Sequence, residues 1–245
     1  EKCMIQDHEA INESINDAFS GFPEYAARNE FVPMRELIYQ YMREAIINRS
    51  IPSGAHLVED DLARYLSASR TPVREALRKL ESEGLVKHHR RRGVEVRQLS
   101  LKDVADIYDL TTVLEGYAAK LVAESVAQDT LDKLQRLLNS MKMSIEGSDG
   151  VLEKELHQEF HFTIYEACNN KRLENMLRMY NDYIQLFRAY TLRIPGRLQH
   201  SWEEHDSILR AIEMRDGELA QQRAYDHLSC SKELFLRQWQ AMGEE

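Results

Sequence analysis

The sequence predicts a mainly α-helical protein with two parts: an N-terminal winged helix-turn-helix with a small β-wing, and a C-terminal bundle built only of helices. Two observations support this prediction. Residues 57–93 contain two short amphipathic segments, a tight turn between them and a basic hairpin pattern. After residue 101 strand patterns stop, and apolar residues recur at helical spacing towards the end of the chain.

The distribution of charge suggests three segments: an acidic N-terminal extension (1–30), the winged helix-turn-helix domain (31–98) and the all-helical domain (101–245). The chain carries a net charge of −9, yet residues 31–100 hold 13 Lys and Arg against 9 Asp and Glu. Positive charge is therefore concentrated in the predicted winged helix-turn-helix domain (31–98), which is called the reading head below. For the extension two interpretations stay open: packing on another subunit, or a mobile tail.

The helix-turn-helix is predicted from turn chemistry and apolar spacing. A first helix is expected over residues 59–66, with its apolar positions on one face. Ser69 or Thr71 can cap the second helix, and Pro72 stands in its first turn, where no amide donor is lost. Gly84 suits a left-handed C-terminal cap. Two helices joined by a short turn are the result.

The second helix has a basic face that is suited to double-stranded DNA. Arg70, Thr71 and Arg74 lie near its start, the part that enters the major groove in helix-turn-helix proteins, so we expect them to face base edges or phosphates. Residues 85–96 follow as a short β-hairpin with a cationic tip. Two other interpretations remain: the basic face is simply solvated, or it contacts another protein.

Composition argues against several other classes of protein. No stretch approaches the roughly 20 apolar residues of a membrane span, and the amino terminus lacks the basic-then-apolar layout of a signal peptide. We therefore expect a cytoplasmic protein without membrane contact. A disulfide framework is not expected, because the cysteines are odd in number and widely separated: Cys3, Cys168 and Cys230.

The second half of the chain divides into six predicted helices with short connections. Their ranges are 102–126, 130–146, 151–168, 172–192, 197–215 and 217–242. Each has an apolar stripe, and the turns between them are marked by Asn, Gly or Pro. An antiparallel bundle is the expected product, and bundles of this kind build ligand sites in their interior.

Four histidines are the candidate metal ligands. His157 and His161 are four residues apart, so both imidazoles lie on one face of a helix. His205 and His227 lie centrally on the last two predicted helices, among apolar residues. Four imidazoles in one bundle interior favour a divalent transition metal, with zinc first and nickel or copper also compatible with nitrogen ligands.

An enzyme is not expected. Two histidines at this spacing also occur in HExxH metalloproteases, where a glutamate directly after the first histidine acts as general base. Gln158 holds that position here, and Glu159 is turned away from His157 along the helix. The sequence also has no Gly-rich phosphate loop and no serine nucleophile elbow.

The predicted reading head resembles the GntR superfamily of bacterial transcription regulators, FadR-like group. The resemblance covers roughly residues 32–243 and is strongest in the run RTPVREAL at 70–77, followed by Leu80-Glu81 and Glu83-Gly84-Leu85. It implies that Arg70, Thr71 and Arg74 read DNA, with Arg92 and Gly93 at the wing tip. One departure is Asp60, which stands where the family usually has a basic residue.

The helical half resembles the FCD type of ligand domain, whose metal site uses an aspartate four residues before a histidine and one histidine on each of the last two helices. His161, His205 and His227 match, and His157 stands at the aspartate position. An imidazole there leaves about one more positive charge, which favours an anionic effector. The resemblance also implies a small carboxylate effector, held in part by Arg197.

A second departure is Thr111, where relatives often carry an arginine; it suggests a differently shaped or smaller acid. Together, the residues and the resemblance predict a homodimeric transcription regulator, of the repressor type, that binds two-fold operator DNA. A small effector bound at or near the metal is expected to shift the bundle helices and so change DNA affinity. The alternative is a metal- or ligand-binding interaction protein whose basic head contacts another protein.

Overall fold

The computed structural model describes residues 16–89, 93–147, 150–191 and 194–241. The chain forms two compact units, Glu1–Leu99 and Ser100–Glu245. It is mainly helical with one small sheet, as the sequence predicted. Residues 1–15 of the acidic extension, and Arg92 at the wing tip, lie outside the described residues.

The first unit has the order helix, helix, strand, helix, helix, hairpin. Its elements are α1 (Phe22–Arg28), α2 (Met34–Ile47), β1 (His56–Leu57), α3 (Glu59–Tyr65), α4 (Arg70–Ser82), β2 (Val86–His89) and β3 (Gly93–Val96). The strands form an antiparallel sheet in the order β1-β3-β2. Strand β1 was not predicted, because two residues give no alternating pattern; it forms by pairing with β3, where His56 lies opposite Glu95.

Helices α3 and α4 form around one apolar core. Two glycines with positive φ allow the chain to turn before and after β2. Gly84 ends α4 with a φ of +76°, as the sequence predicted. Gly93 has a φ of +80°, and a Cβ there would approach the Leu57 carbonyl oxygen to 2.6 Å. The capping prediction was wrong in one respect: Ser69 occupies the N-cap position of α4, but its side chain makes no cap hydrogen bond.

The described part of the acidic extension packs on its own reading head. Phe19 and Phe22 are buried, and both rings lie against Tyr41 of α2. Phe19 also stacks on Tyr65. A mobile tail does not describe residues 16–28, which add an aromatic cluster to the head, whereas packing of the extension on another subunit stays a prediction.

The second unit is a bundle of helices whose ends agree with the predicted ranges to within about two residues. Its elements are α5 (Leu101–Ser125), α6 (Gln128–Gly147), α7 (Gly150–Ala167), α8 (Lys171–Thr191), α9 (Arg197–Glu213) and α10 (Gly217–Ala241). Ser100 and Asp103 form a capping box at the start of α5. Across the described segments of the chain, no helix combines the length and the apolar character that crossing a membrane requires.

The core of the bundle places α7, α9 and α10 around a shared interior. Large apolar side chains such as Phe160, Leu177 and Ile212 are almost fully buried there. Helices α5 and α10 approach closely at Gly116, where a Cβ would lie 3.2 Å from the Gln221 carbonyl oxygen. This packing brings the inward-facing polar residues of four helices to one place.

Candidate functional site

The four predicted histidines lie together in the interior of the bundle. His157 and His161 project from α7, His205 from α9 and His227 from α10, and all four are buried. Each offers a ring nitrogen, and these four atoms all lie within 4.8 Å of one another. The structure therefore brings together residues up to 70 positions apart in the sequence, as a group of donors that can hold a metal ion.

Two carboxylates orient the imidazoles from behind. His161 Nδ1 lies 3.0 Å from Glu115 Oε2, and His227 Nδ1 lies 2.7 Å from Glu204 Oε2. Tyr165 donates a second hydrogen bond to Glu115. A carboxylate that accepts from one ring nitrogen fixes the other nitrogen as a lone pair, which is the usual arrangement behind metal-binding histidines.

The inward-facing ring nitrogens of His161 and His205 lie next to one another. His205 Nε2 lies 3.1 Å from His161 Nε2. The His205 ring also bonds to the Ser201 backbone, and His161 already donates through Nδ1 to Glu115. Two lone pairs at this distance repel each other unless a proton or a metal cation lies close to both. The contact fits a cation site.

The environment favours the neutral form of three of these imidazoles, those of His157, His205 and His227, and the neutral imidazole is the form that binds metal. Burial lowers the pKa of His157 and of His205 well below the ordinary value, and nearby positive charge, including Arg188, lowers both further. Burial also lowers the pKa of His227, although Glu204 opposes that shift. His157 Nδ1 is buried and has no hydrogen-bond partner among the described residues.

Glu204 is ionised and belongs to a polar network beside the histidines. Burial raises the pKa of its carboxyl, but His227 and Arg197 outweigh that effect and lower the pKa to about 2. Arg197 is buried; its guanidinium lies 2.9 Å from Glu204 and donates to the Ser231 hydroxyl at the same distance. The arginine expected to hold an effector is thus already paired in this conformation.

A cavity of about 20 Å³ adjoins the histidines. It is lined on one side by α8, through Asn181, Gln185 and Arg188, and on the other by Glu115 and Tyr108. Within the described part of the chain, Tyr108 Oη, Asn181 Nδ2 and Gln185 Oε1 are buried without a hydrogen-bond partner. Buried polar atoms are costly unless they are satisfied, so they mark a place for a polar ligand or water.

The predicted DNA-reading residues lie on the surface of α4, where two of them are paired with α3. Arg70 Nε lies 2.6 Å from Asp60 Oδ1, and Arg74 lies 2.7 Å from Glu59. The bond to Arg74 lowers the pKa of Glu59 despite its partial burial. Thr71 is exposed at the start of the helix, so the three side chains form one surface that meets solvent.

Two family models match the sequence. The one described as bacterial regulatory proteins, gntR family, matches residues 34–96, and the FCD domain matches residues 106–229. The chain belongs to the GntR family. The resemblance stated from the RTPVREAL run and the histidine pattern is therefore confirmed, and this GntR protein is a transcription regulator with an FCD domain.

Several curated relatives of this GntR regulator are similar over most of their length. The HTH-type regulator YdhC of Bacillus subtilis is 30% identical over 78% of this chain and 86% of its own. The probable D-xylose utilization operon repressor of Paenarthrobacter nicotinovorans is 31% identical over 74% and 79%. These relatives are transcription regulators, which confirms the prediction that the chain is not an enzyme.

Solved structures share the fold of the GntR regulator. McbR/YncC of Escherichia coli superimposes with a TM-score of 0.66 at 22% identity, covering 85% of this chain and 99% of its own. A regulator from Rhodococcus gives a TM-score of 0.59 at 22% identity, over 83% and 97%. At this identity the likeness extends to the fold, a winged helix-turn-helix followed by a helical domain.

Sequence reasoning found the imidazoles of this GntR regulator but missed the groups that surround them. Glu115 is a buried acid at an inward position of α5, between Thr112 and Ala119. An acidic residue on the inward face of a predicted helix is unusual, and that signal in the sequence could have identified it. Asn181 and Arg188 gave no signal, because α8 is polar along much of its length. Thr111 is buried, and its hydroxyl donates to the Ile107 carbonyl of the same helix, so this position of α5 carries no charge.

Proposed function

We propose that this protein is a cytoplasmic, operator-binding repressor whose DNA affinity is set by a small anionic effector at a transition-metal site in the FCD domain. The observation that supports it most is the buried cluster of His157, His161, His205 and His227, whose ring nitrogens converge within 4.8 Å. A DNA-binding domain followed in the chain by a domain with such a pocket suits a regulator whose DNA affinity responds to a ligand.

Zinc is the metal that the donor set favours, with nickel or copper as alternatives. Four imidazoles match the nitrogen preference of these ions, and the carboxylates of Glu115 and Glu204 lie behind two of them. When bound, the metal supplies a fixed positive charge for a carboxylate to meet. Among the described residues His157 Nδ1 has no hydrogen-bond partner to fix its ring, so His157 is the ligand that adjusts most easily to the ion.

The charges around the cavity favour an effector with two negative charges. Arg188 and Arg197 are balanced by Glu115 and Glu204, and a metal ion binds imidazoles in their neutral form, so a divalent metal leaves an excess of about two positive charges. Asn181 Nδ2 is an unsatisfied amide donor for the far end of such a molecule. A small dicarboxylate carries this charge and supplies an acceptor for that donor.

The cavity has to open to admit the effector. A volume of about 20 Å³ holds about one water molecule, not an organic acid. Helix α8 forms one wall, and Arg197 has to exchange Glu204 for the incoming anion if it is to hold it. We infer that binding displaces α8 or α9, and that this displacement is the signal passed to DNA binding.

A homodimer is supported by an apolar stripe on α5. Leu110, Val113 and Tyr117 recur at helical spacing, and each is more exposed than a core residue; Tyr225 of the neighbouring helix α10 is exposed as well. Single exposed apolar residues are ordinary, but a row on one helix face marks an interaction surface. A second copy is the partner that a two-fold operator requires.

DNA contact is assigned to Arg70, Thr71 and Arg74 on α4, with Arg92 and Gly93 at the wing. The test is binding of Arg74→Ala to an operator selected by the wild-type protein from random duplexes, with Arg64→Ala as the control on α3. Arg74→Ala should bind more weakly, with a salt slope smaller by about one unit for each lost phosphate contact. Equal binding by both variants would contradict groove recognition.

The effector proposal is tested on the same operator. Small mono-, di- and tricarboxylates are added to the metal-loaded protein, and Arg188→Gln serves as the pocket variant. A dicarboxylate should shift operator affinity in the wild type and have a weaker effect in the variant. A shift that is equal with the metal removed would contradict an effector held at the metal.

A further inference from the structure

A second group of metal-binding side chains lies beside the four-histidine cluster and is more open to solvent. His200 and Glu204 are four residues apart on α9, and Cys230 lies on α10. Their donor atoms all lie within 4.8 Å of one another. Among the described residues, only this trio and the four histidines are grouped so closely with suitable donors.

The geometry points to a separate site for a borderline divalent ion, Zn²⁺ or Cd²⁺, formed by His200, Glu204 and Cys230. A thiolate, an imidazole and a carboxylate are the three donor types that Zn²⁺ takes from proteins. Three protein ligands leave a fourth position for water or an incoming ligand. The inner cluster contains only imidazoles, so the two sites differ in ligand chemistry.

The carboxylate of Glu204 is already held in a position from which it can bind an ion at this second site. Its Oε2 is held by Arg197 and His227 at 2.9 and 2.7 Å, whereas its Oε1 lies 3.2 Å from His200 Nε2. One oxygen therefore faces the inner cluster and the other faces the second site. Because two partners fix the carboxylate, little side-chain freedom is lost when a cation binds to Oε1.

The local charge also favours a cation at this place. Glu203 lies 3.7 Å from His200 Nδ1, and Glu233 acts electrostatically on the Cys230 thiol. Arg197, a positive charge that acts on the Cys230 thiol, is paired with Glu204. Burial and the acidic neighbours raise the pKa of Cys230, so in the free protein the thiol keeps its proton, and an ion has to displace it.

Sharing Glu204 couples the two sites. An ion on Oε1 draws charge away from Oε2, which orients the inner ligand His227, and the effect of each ion on the other has to be reciprocal. The second site thus gives the sensor a way to respond to metal concentration at its surface. This inference does not depend on DNA binding.

Cobalt titration tests the second site by itself, because only this site contains sulfur. The full chain is used with Cys3→Ser and Cys168→Ser, so that Cys230 is the single thiol. Two equivalents of Co²⁺ should bind, and one should produce thiolate-to-cobalt charge-transfer absorption. No such absorption at saturating Co²⁺ would overturn the proposal, whether or not the inner site fills.

Variants and thiol labelling complete the test. His200→Ala and Cys230→Ser should each lower the stoichiometry from two equivalents to one, whereas Gln199→Ala, an exposed neighbour, should leave it at two. Circular dichroism checks that each variant folds. In the parent, Zn²⁺ should protect Cys230 from alkylation; equal alkylation rates with and without Zn²⁺, or two equivalents retained in His200→Ala, would contradict the site.

Discussion

Replacement of Asp60 by Asn is expected to tighten operator binding. In the free protein Asp60 pairs with Arg70 at 2.6 Å, and their side chains are 52% and 66% exposed. An exposed ion pair of this kind is worth about 0.2–1 kcal/mol. DNA has to displace the carboxylate before Arg70 meets a phosphate or a base, and the same carboxylate repels the DNA backbone.

The size of the effect follows from these terms. Since 1.4 kcal/mol corresponds to a tenfold change in affinity, loss of the competing pair lowers the Kd about 1.4-fold to fivefold at low salt. Screening weakens surface charge effects, so the gain should shrink as salt rises. Asp60, the residue that departs from the pattern the resemblance implies, would then lower the affinity for DNA.

Fluorescence anisotropy with the selected operator, measured over a range of salt concentrations, gives the required Kd values. Asp61→Asn is the matched control: it removes the same charge from the same turn of α3, but its partner is Arg64, away from the recognition helix. Asp60→Asn should bind more tightly than Asp61→Asn. Equal affinities, or weaker binding by Asp60→Asn than by the wild type, would refute the reasoning.

Three further predictions concern the wing, the dimer and pH. Gly93→Ala should cost about 1–3 kcal/mol of stability and weaken DNA binding, whereas Gly54→Ala, also at positive φ but with open space, should cost less by denaturant titration. Val113→Glu should shift the dimer to monomer in sedimentation; an unchanged dimer would exclude the α5 stripe. Metal-free protein should lose stability as pH falls below 6.5, because His157 and His205 have lowered pKa values in the folded state and are therefore protonated first in the unfolded chain. The loss should be at most about 1.4 kcal/mol per pH unit for each of the two histidines. His157→Phe should flatten that decline in thermal melting.

The reading head was predictable because its signals are local. The proline in the first turn of α4, the glycine after its end and the basic hairpin each depend on a few neighbouring residues. Strand β1 depends instead on β3, almost forty residues later, and the packing of Phe19 depends on Tyr41 and Tyr65. A pattern within a short window carries no information about such pairings.

The candidate site was also predictable only in part. Spacing and apolar surroundings were enough to select the four histidines, because a polar residue on an inward face of a helix is unusual. The partners that orient them come from other helices and are chosen by packing. Glu115 reaches His161 from α5, and Arg197 turns to Glu204 instead of an open pocket.

The metal content of the purified protein tests the central claim most directly. The chain is purified without an affinity tag in the Cys230→Ser background, which removes the thiol of the second site, and its metal is determined by elemental analysis. The account predicts one transition-metal ion per chain, retained in His88→Ala and lost in His161→Ala and His205→Ala. A protein that stays empty in the presence of Zn²⁺, or that keeps its ion in both of those variants, would contradict it.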